Sequence, residues 1–156
     1  MNAEARIIEL GLRLPPPLTP AFSYVPARRA GDLLYLAGHG PLKGAAYSPE
    51  SFVRGKLGQD LDVAQGQEAA RLTGLALLAT LREHLGSLDA VQDVVKVLGM
   101  VNCAPGFTRI PEVINGCSDL LIAVFGDAGR HARSAVGVAE LPFGIAVEIE
   151  MIVRVA

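Results

Sequence analysis

The chain has 156 residues, of which 51% are hydrophobic and 19% are charged, and its formal net charge is -2. This length predicts one domain spanning residues 1–156, and so apolar a composition excludes a disordered chain. Aromatic residues make up only 5%, which together with the acidic net charge argues against a nucleic-acid-binding surface.

The sequence gives no sign of membrane insertion or of a structural metal. The N-terminal segment has no long apolar core before Pro15, as a signal peptide would, and no window reaches the roughly 18 apolar residues of a membrane helix. Cys103 and Cys117 are the only cysteines, and no ligand spacing such as CxxC accompanies them. We therefore expect a soluble cytoplasmic protein with reduced thiols and no metal site.

The N-terminal part of the chain predicts an arm, a hairpin and a loop. In order, these are a proline-containing arm at 1–20, extended stretches at 21–28 and 33–37, and a loop at 38–59 whose extended part is 43–59. Within the arm, residues 5–14 are interpreted as a short strand or extended segment that ends at Pro15. Gly31-Asp32 supplies a turn between the two extended stretches, which favours a hairpin.

The rest of the chain predicts two helices and three strands. In order, these are a helix from Asp62 to Gly86, a strand at 91–101, a helix from Pro111 to Gly126, and strands at 133–139 and 145–155. Asp62 and Gln65 have the spacing of a capping box, and Gly86 stands where a helix-ending glycine is expected. Pro111 suits a first helical turn, although Gly116 weakens the second helix.

This order of elements predicts an α+β fold, with two helices packed on one face of a single sheet. The last strand alternates strictly between apolar and other residues, so its sheet has a second, more polar face. Because the chain has no further helix to cover that face, another subunit is expected to do so.

Arg133 is the first candidate for a functional residue. On its face of the strand it is followed by Ala135, Gly137 and Ala139, so the predicted floor is small and leaves space above the guanidinium. A guanidinium in such a space suits bidentate capture of a carboxylate or phosphate. The alternative is an arginine at a strand end that pairs with a neighbouring acid, and the pattern alone leaves both open.

Carboxylates and histidines provide the other candidates. Glu148 and Glu150 share one face of the last strand, and either is a solvated side chain or an acid–base group tuned by burial. His39 and His131 both lie in glycine-rich stretches, as ligand-facing or ordinary loop histidines. Walker A, GxGxxG, GxSxG and HExxH motifs are absent from the sequence, and no base adjacent to Ser118 can be identified.

Three stretches of the chain resemble the Rid family, the YjgF-type reactive intermediate deaminases, which are also described as L-PSP endoribonuclease-like. The most specific is ARSAVGVAELP at 132–142, followed by VEIE at 147–150. Tyr24-Val25 leading to LYLAGHGP at 34–41, and the stretch 88–97, agree in order and spacing. The resemblance extends from about residue 20 to residue 155.

The resemblance implies a chorismate-mutase-like fold, assembled as a homotrimer with an inner β-barrel and ligand clefts between subunits. It also implies a cofactor-free hydrolysis of a small carboxylate-bearing enamine or imine to a 2-keto acid and ammonia. By position, Arg133 would hold the substrate carboxylate, Glu148 would activate the attacking water, the backbone carbonyl of Ala135 would hold that water, and Tyr24 would line the cleft.

The chain departs from the family pattern at positions that contact substrate. Ala37 replaces a serine, His39 a glutamine and Ala135 a cysteine, and Pro111 stands nearest to the position of an asparagine. We expect Ala37 and His39 to line the substrate site, with His39 as a replacement polar group and the smaller residues making room for a bulkier acid. A non-catalytic trimer that binds a keto acid is the alternative, followed by another cofactor-free reaction such as hydrolysis or tautomerisation, and by ribonuclease activity.

Overall fold

The computed structural model describes residues 2–156 as one mixed five-stranded sheet with three α-helices. The helices are α1 (Ala3–Glu9), α2 (Val63–Leu85) and α3 (Ile110–Phe125), and the strands are β1 (Ala27–Ala30), β2 (Leu33–His39), β3 (Val91–Asn102), β4 (Ala132–Val138) and β5 (Val147–Val155). The predicted α+β class, a hairpin, the two long helices and the three later strands are confirmed. The first hairpin strand lies at 27–30 and not at the predicted 21–28, because residues 21–26 form bends and irregular backbone. Within residues 2–156, no helix is both long and apolar enough to cross a bilayer.

Strand β4 forms one edge of the sheet. The strand order is β1-β2-β5-β3-β4, with β3 and β4 parallel and the other neighbours antiparallel. A parallel pair needs a crossover connection, and α3 provides it. The edge strand therefore runs beside α3, and its far side has no strand partner among the described residues.

The ends and the close packing of the two long helices follow from particular residues. The Asp62 side chain accepts from the Gln65 N–H and the Gln65 side chain accepts from the Asp62 N–H, so the predicted capping box is confirmed. Gly86 ends α2 at a φ of 78°, which glycine adopts without strain. A Cβ on Gly116 would lie 2.0 Å from the Gln67 carbonyl oxygen, so the glycine that weakens α3 locally is needed where α3 meets α2.

The sheet has one covered and one bare face in the single chain. The helix face, which packs on α2 and α3, carries fully buried residues such as Val97, Val101 and Ile149. The opposite face, here called the outer face, exposes Tyr35 at 45% and Val136 at 43% of their surfaces. The prediction of a second, uncovered face is thus confirmed at the level of one chain.

The prediction of a strand or extended arm at 5–14 is wrong, because residues 3–9 form α1. The Asn2 side chain caps the helix by accepting from the Ala5 N–H, and Ile7 is buried in the core. Glu4 accepts hydrogen bonds from the Arg82 side chain and from the Leu88 N–H. These partners lie about 80 residues away along the chain, so local sequence does not reveal them.

Candidate functional site

Glu148 projects from the start of β5 onto the outer face. It lies opposite Met100 of β3, and its carboxylate extends over Gly38 of β2. A Cβ on Gly38 would be 2.7 Å from Glu148 Oε2, a distance that real Cβ contacts do not reach. The β2–β5 register shifts between Leu36 and His39, and this irregularity brings Gly38 next to the carboxylate. Glycine at position 38 therefore makes the space that Glu148 occupies.

Burial distinguishes Glu148 from Glu150, which sequence periodicity alone does not. Glu148 is half-buried, whereas Glu150 is exposed on the same face. Burial raises the pKa of the Glu148 carboxyl, and the nearby negative charge of Glu150 raises that pKa further. A carboxylate with a raised pKa is a better proton acceptor near neutral pH.

Arg133 projects from β4 to the helix face, where it contacts α3. Its Nη1 donates to Asn115 Oδ1 at 2.9 Å and to Ser118 Oγ at 3.1 Å, and its Nη2 donates to the Pro111 carbonyl oxygen at 3.4 Å. All three partners are neutral, and no ion pair in the described part of the chain includes Arg133. The Nε–H and one Nη2–H keep no protein acceptor among residues 2–156, so a side-on fork remains for a ligand carboxylate.

The predicted open space above β4 is filled by packing. A Cβ on Gly137 would lie 2.7 Å from Cys103 Sγ and 2.8 Å from Ile110 Cδ1, so the small residue admits the start of α3 rather than a ligand. Ala135 packs against the core cluster. That part of the sequence interpretation is wrong, and a ligand must approach Arg133 from the edge of the sheet.

The backbone carbonyl of Ala135 lies at that edge. The Val138 carbonyl accepts from the Cys103 N–H, so the main-chain groups of Val138 point inward to the rest of the sheet. Main-chain groups point to alternate sides along a strand, and the carbonyl of Ala135, three residues earlier, therefore points away from β3. Arg133, Asn115, Ser118 and the Ala135 carbonyl are called the edge half-site below.

Two of the residues predicted to line the substrate site, Ala37 and Tyr24, are not buried, unlike His39. Val25, Ala37 and Glu150 help to line a hollow of about 400 Å³ on the outer face. Tyr24 is 46% exposed and adjoins Val25, and the Ala37 N–H donates to the Pro26 carbonyl oxygen, which ties this segment to β2. Glu148 and Gly38 are called the face half-site below.

The two half-sites do not meet within one chain. Arg133 pairs in register with Val97, whose side chain is on the helix face, whereas Glu148 pairs with Met100 on the outer face. The carboxylate and the guanidinium thus project from opposite sides of the sheet, with β3 between their strands. A cleft that contains both groups needs a second copy of the chain.

His39 lies in the core, away from both half-sites. It is only 2% exposed, and its Nδ1 lies 2.6 Å from the Ala37 carbonyl oxygen while its Nε2 lies 2.7 Å from Thr80 Oγ1 on α2. Burial lowers the pKa of its imidazole to about 4. The structure therefore does not bring the His39 side chain to substrate, and both of its ring nitrogens are already paired.

Comparison with known proteins agrees with this architecture. A family model described as "YjgF/chorismate_mutase-like, putative endoribonuclease" matches residues 4–149. Protein TCP17 of Trypanosoma cruzi is 42% identical over 151 residues, which cover 96% of this chain and 92% of that protein. The chain belongs to the YjgF family.

Solved structures from bacteria share the whole fold of this family member. The protein Atu1372 from Agrobacterium tumefaciens, whose function is described as unknown, is 41% identical, with a TM-score of 0.88 over 99% of this chain and 92% of that chain. A Shewanella oneidensis protein with the same endoribonuclease description is 27% identical, with a TM-score of 0.93 over 99% of this chain and 100% of that chain. The N-terminal helix and the long loop thus fall within a shared architecture.

The structure also adds Asn115, which the sequence interpretation of this family member missed, and it pairs Ser118 with His131. Asn115 supplies an amide oxygen to Arg133 one turn after Pro111, whose own carbonyl oxygen accepts from the same guanidinium. Ser118 and His131 form a hydrogen-bonded pair next to the same guanidinium, at 2.9 Å between Oγ and Nε2. The only sequence signal was the glycine-rich setting of His131, which does not identify a partner 13 residues away.

The described residues contain no group of His, Cys, Asp and Glu side chains arranged to hold a metal ion.

Proposed function

We propose that the protein hydrolyses a small imine or enamine that carries a carboxylate, and releases a 2-keto acid and ammonia. The proposal depends above all on one observation: within residues 2–156 the Arg133 guanidinium has only neutral partners, and its Nε–H and one Nη2–H have no acceptor. A cation without a protein counter-charge at a sheet edge is suited to an anionic ligand. The half-buried carboxylate of Glu148, with its raised pKa, supplies the proton acceptor.

The proposed reaction needs only a positioned water and a proton acceptor. The Arg133 fork holds the substrate carboxylate, and the Ala135 carbonyl accepts a hydrogen bond from the attacking water. Glu148 takes a proton from this water as its oxygen bonds to the imine carbon, the C=N electron pair moves to nitrogen, and the Glu148 carboxyl returns the proton to that nitrogen. The carbinolamine then loses ammonia as its hydroxyl becomes the carbonyl of the 2-keto acid.

The proposed cleft forms between copies of the chain, in a homotrimer with the outer faces turned inward as a barrel. The exposed apolar side chains of that face, among them Tyr35 and Val136, support burial by further copies. In this arrangement the edge half-site of one copy meets the face half-site of the next. Light scattering that gives a monomer at working concentrations would contradict the shared cleft.

The activity can be tested with imino acids generated in situ by an amino-acid oxidase and followed by semicarbazide trapping. Arg133→Ala and Glu148→Ala should each lower the rate about a hundredfold or more, which is typical for removal of an acid–base or binding group. Glu150→Gln is the matched control at pH values above the Glu148 inflection, where its effect on the Glu148 pKa does not change the rate, because Glu150 shares the strand and face of Glu148 but is exposed. Equal rates with and without the wild-type protein would contradict the proposal.

A non-catalytic keto-acid-binding trimer is the second candidate, and Ala37 favours it. The side chain at this position carries no hydroxyl for substrate, and the Ala37 carbonyl oxygen lies within hydrogen-bond distance of His39 Nδ1. Arg133-dependent binding of a 2-keto acid without turnover of any imine would establish this role instead. If the protein cleaved RNA and neither Arg133→Ala nor Glu148→Ala reduced the cleavage rate, the result would indicate a separate ribonuclease activity.

A further inference from the structure

Two histidines in this protein have the same hydrogen-bonding arrangement in different settings. The Nδ1 of His131 lies 2.7 Å from the carbonyl oxygen of Gly129, and that of His39 lies 2.6 Å from the carbonyl oxygen of Ala37, in each case two residues earlier. The Nε2 of each ring meets a helix hydroxyl, Ser118 on α3 for His131 and Thr80 on α2 for His39. The His39 pair is sealed in the core, whereas the His131 pair adjoins Arg133.

The arrangement fixes the direction of every hydrogen bond around Ser118. A carbonyl oxygen only accepts, so the neutral His131 ring carries its proton on Nδ1 and leaves Nε2 as an acceptor. The Ser118 hydroxyl then donates to Nε2, and its oxygen lone pairs are left to face Arg133 Nη1 at 3.1 Å. Burial lowers the pKa of His131 and the charge of Arg133 lowers it further, against the opposing effect of the Gly129 carbonyl, so the net shift favours the neutral ring.

The acceptors around Arg133 all lie on one part of the guanidinium. Ser118 and Asn115 take both N–H groups of Nη1, and the Pro111 carbonyl takes one of Nη2. The remaining donors, on Nε and Nη2, lie along one side of the planar group and match the two oxygens of a carboxylate. A guanidinium free to rotate would present this side only part of the time.

We propose that Ser118 and His131 are positioning residues that hold the Arg133 guanidinium with its Nε and Nη2 donors toward the ligand carboxylate. This inference rests on the proposed function, because it assigns the pair to the same carboxylate site. His131 fixes the direction in which the Ser118 hydroxyl donates, and the Ser118 oxygen fixes the orientation of the Arg133 guanidinium. The pair therefore matters for ligands with a carboxylate and not for ligands without one.

The test compares equilibrium binding of 2-oxobutanoate with binding of its methyl ester, by calorimetry or ligand-detected NMR. Ser118→Ala and His131→Gln should weaken binding of the acid about tenfold, the scale of one hydrogen bond to a charged group, and should change ester binding less than twofold. Ser118→Thr keeps a hydroxyl and should restore most of the acid affinity. Thr80→Val removes the equivalent hydroxyl from the His39 pair, and it should lower the denaturation midpoint without changing the acid-to-ester ratio.

The possible outcomes separate this inference from the proposed function. If Arg133→Ala binds the acid as tightly as wild type, both are overturned. If Arg133→Ala loses affinity for the acid but Ser118→Ala and His131→Gln keep it, only the positioning role is overturned. If Ser118→Ala lost affinity equally for the acid and the ester, or if Thr80→Val changed the acid-to-ester affinity ratio as much as Ser118→Ala does, the effect would be general destabilisation. Either result would also overturn the positioning role.

Discussion

Two inactive variants of this protein should restore activity to each other when they assemble together. Arg133 and Glu148 project from opposite faces of one sheet, so the proposed cleft takes its guanidinium from one copy and its carboxylate from the next. In a mixed oligomer of Arg133→Ala and Glu148→Ala chains, some clefts combine the intact Arg133 of one chain with the intact Glu148 of the other. Such clefts have both groups, although neither chain does.

The size of the effect follows from the symmetry of a ring with head-to-tail contacts. In a trimer with two chains of one variant and one of the other, a single cleft of the three combines both intact groups, so activity should reach about one third of wild type. This fraction is the same whichever variant contributes two chains. Each variant alone should have at most about one hundredth of the wild-type rate.

The assay is co-expression of the two variants with different affinity tags, tandem purification of mixed oligomers, and measurement of imine hydrolysis. A mixture of Glu148→Ala with Gly38→Ala is the matched control, because both changes fall in the face half-site and no cleft regains an intact one. Mixed oligomers of Arg133→Ala and Glu148→Ala that are no more active than the separate variants would refute the division of the site between copies.

Three further predictions concern single groups. Gly38→Ala should lower kcat about a hundredfold with little loss of stability, because its Cβ would displace the end of the Glu148 side chain and an error of about 1 Å at a catalytic group has that cost. The control is Gly44→Ala, whose Cβ would meet no atom within 4 Å and which should keep the wild-type kcat. An equal loss of kcat in the two variants would contradict the contact between Gly38 and Glu148. The rate should fall as pH decreases through the raised pKa of Glu148, and Glu150→Gln should move this inflection to lower pH in a pH–rate profile; an unmoved inflection would exclude the coupling. The free energy of unfolding should decrease by about 3 kcal/mol between pH 6.5 and about pH 4, because the unfolded chain binds a proton at His39 that the folded chain binds only near pH 4. Denaturation curves of His39→Gln measured over this pH range should lack the decrease.

The fold was predictable where local chemistry decides an element. Asp62, Gln65 and Gly86 mark both ends of α2 because a capping box and a left-handed glycine depend only on nearby residues. The strict alternation of β5 likewise depends on one strand and one covered face. Helix α1 was missed because Glu4, which anchors it, is paired with Arg82 in the distant second helix.

Only part of the candidate site has a signal in the sequence. Arg133 and Glu148 stand in a distinctive spacing, so the resemblance to the family proposes both as site residues. The supports of these groups come from other elements, such as Ser118 on α3 beside Arg133 and Gly38 on β2 beneath Glu148. These contacts depend on helix packing and on a β-bulge. No sequence pattern shows which residue a packed helix or a bulge will bring next to the guanidinium or the carboxylate.

If the proposed oligomer forms, the lack of an acidic partner for Arg133 within residues 2–156 should also couple ligand binding to assembly. In a separate chain the free fork of the guanidinium lies at a sheet edge that water can reach, whereas a second copy docked over this edge would remove water from the charge. A desolvated charge without a partner is costly, so the ligand carboxylate should stabilise the assembled form. At a 2-keto acid concentration of 100 times Kd, the gain is about 2.7 kcal/mol per site, which should appear as a higher melting temperature and a lower concentration for dissociation of the oligomer. The methyl ester should produce neither shift, and neither should the acid with Arg133→Ala; a shift of equal size in that variant would contradict the coupling.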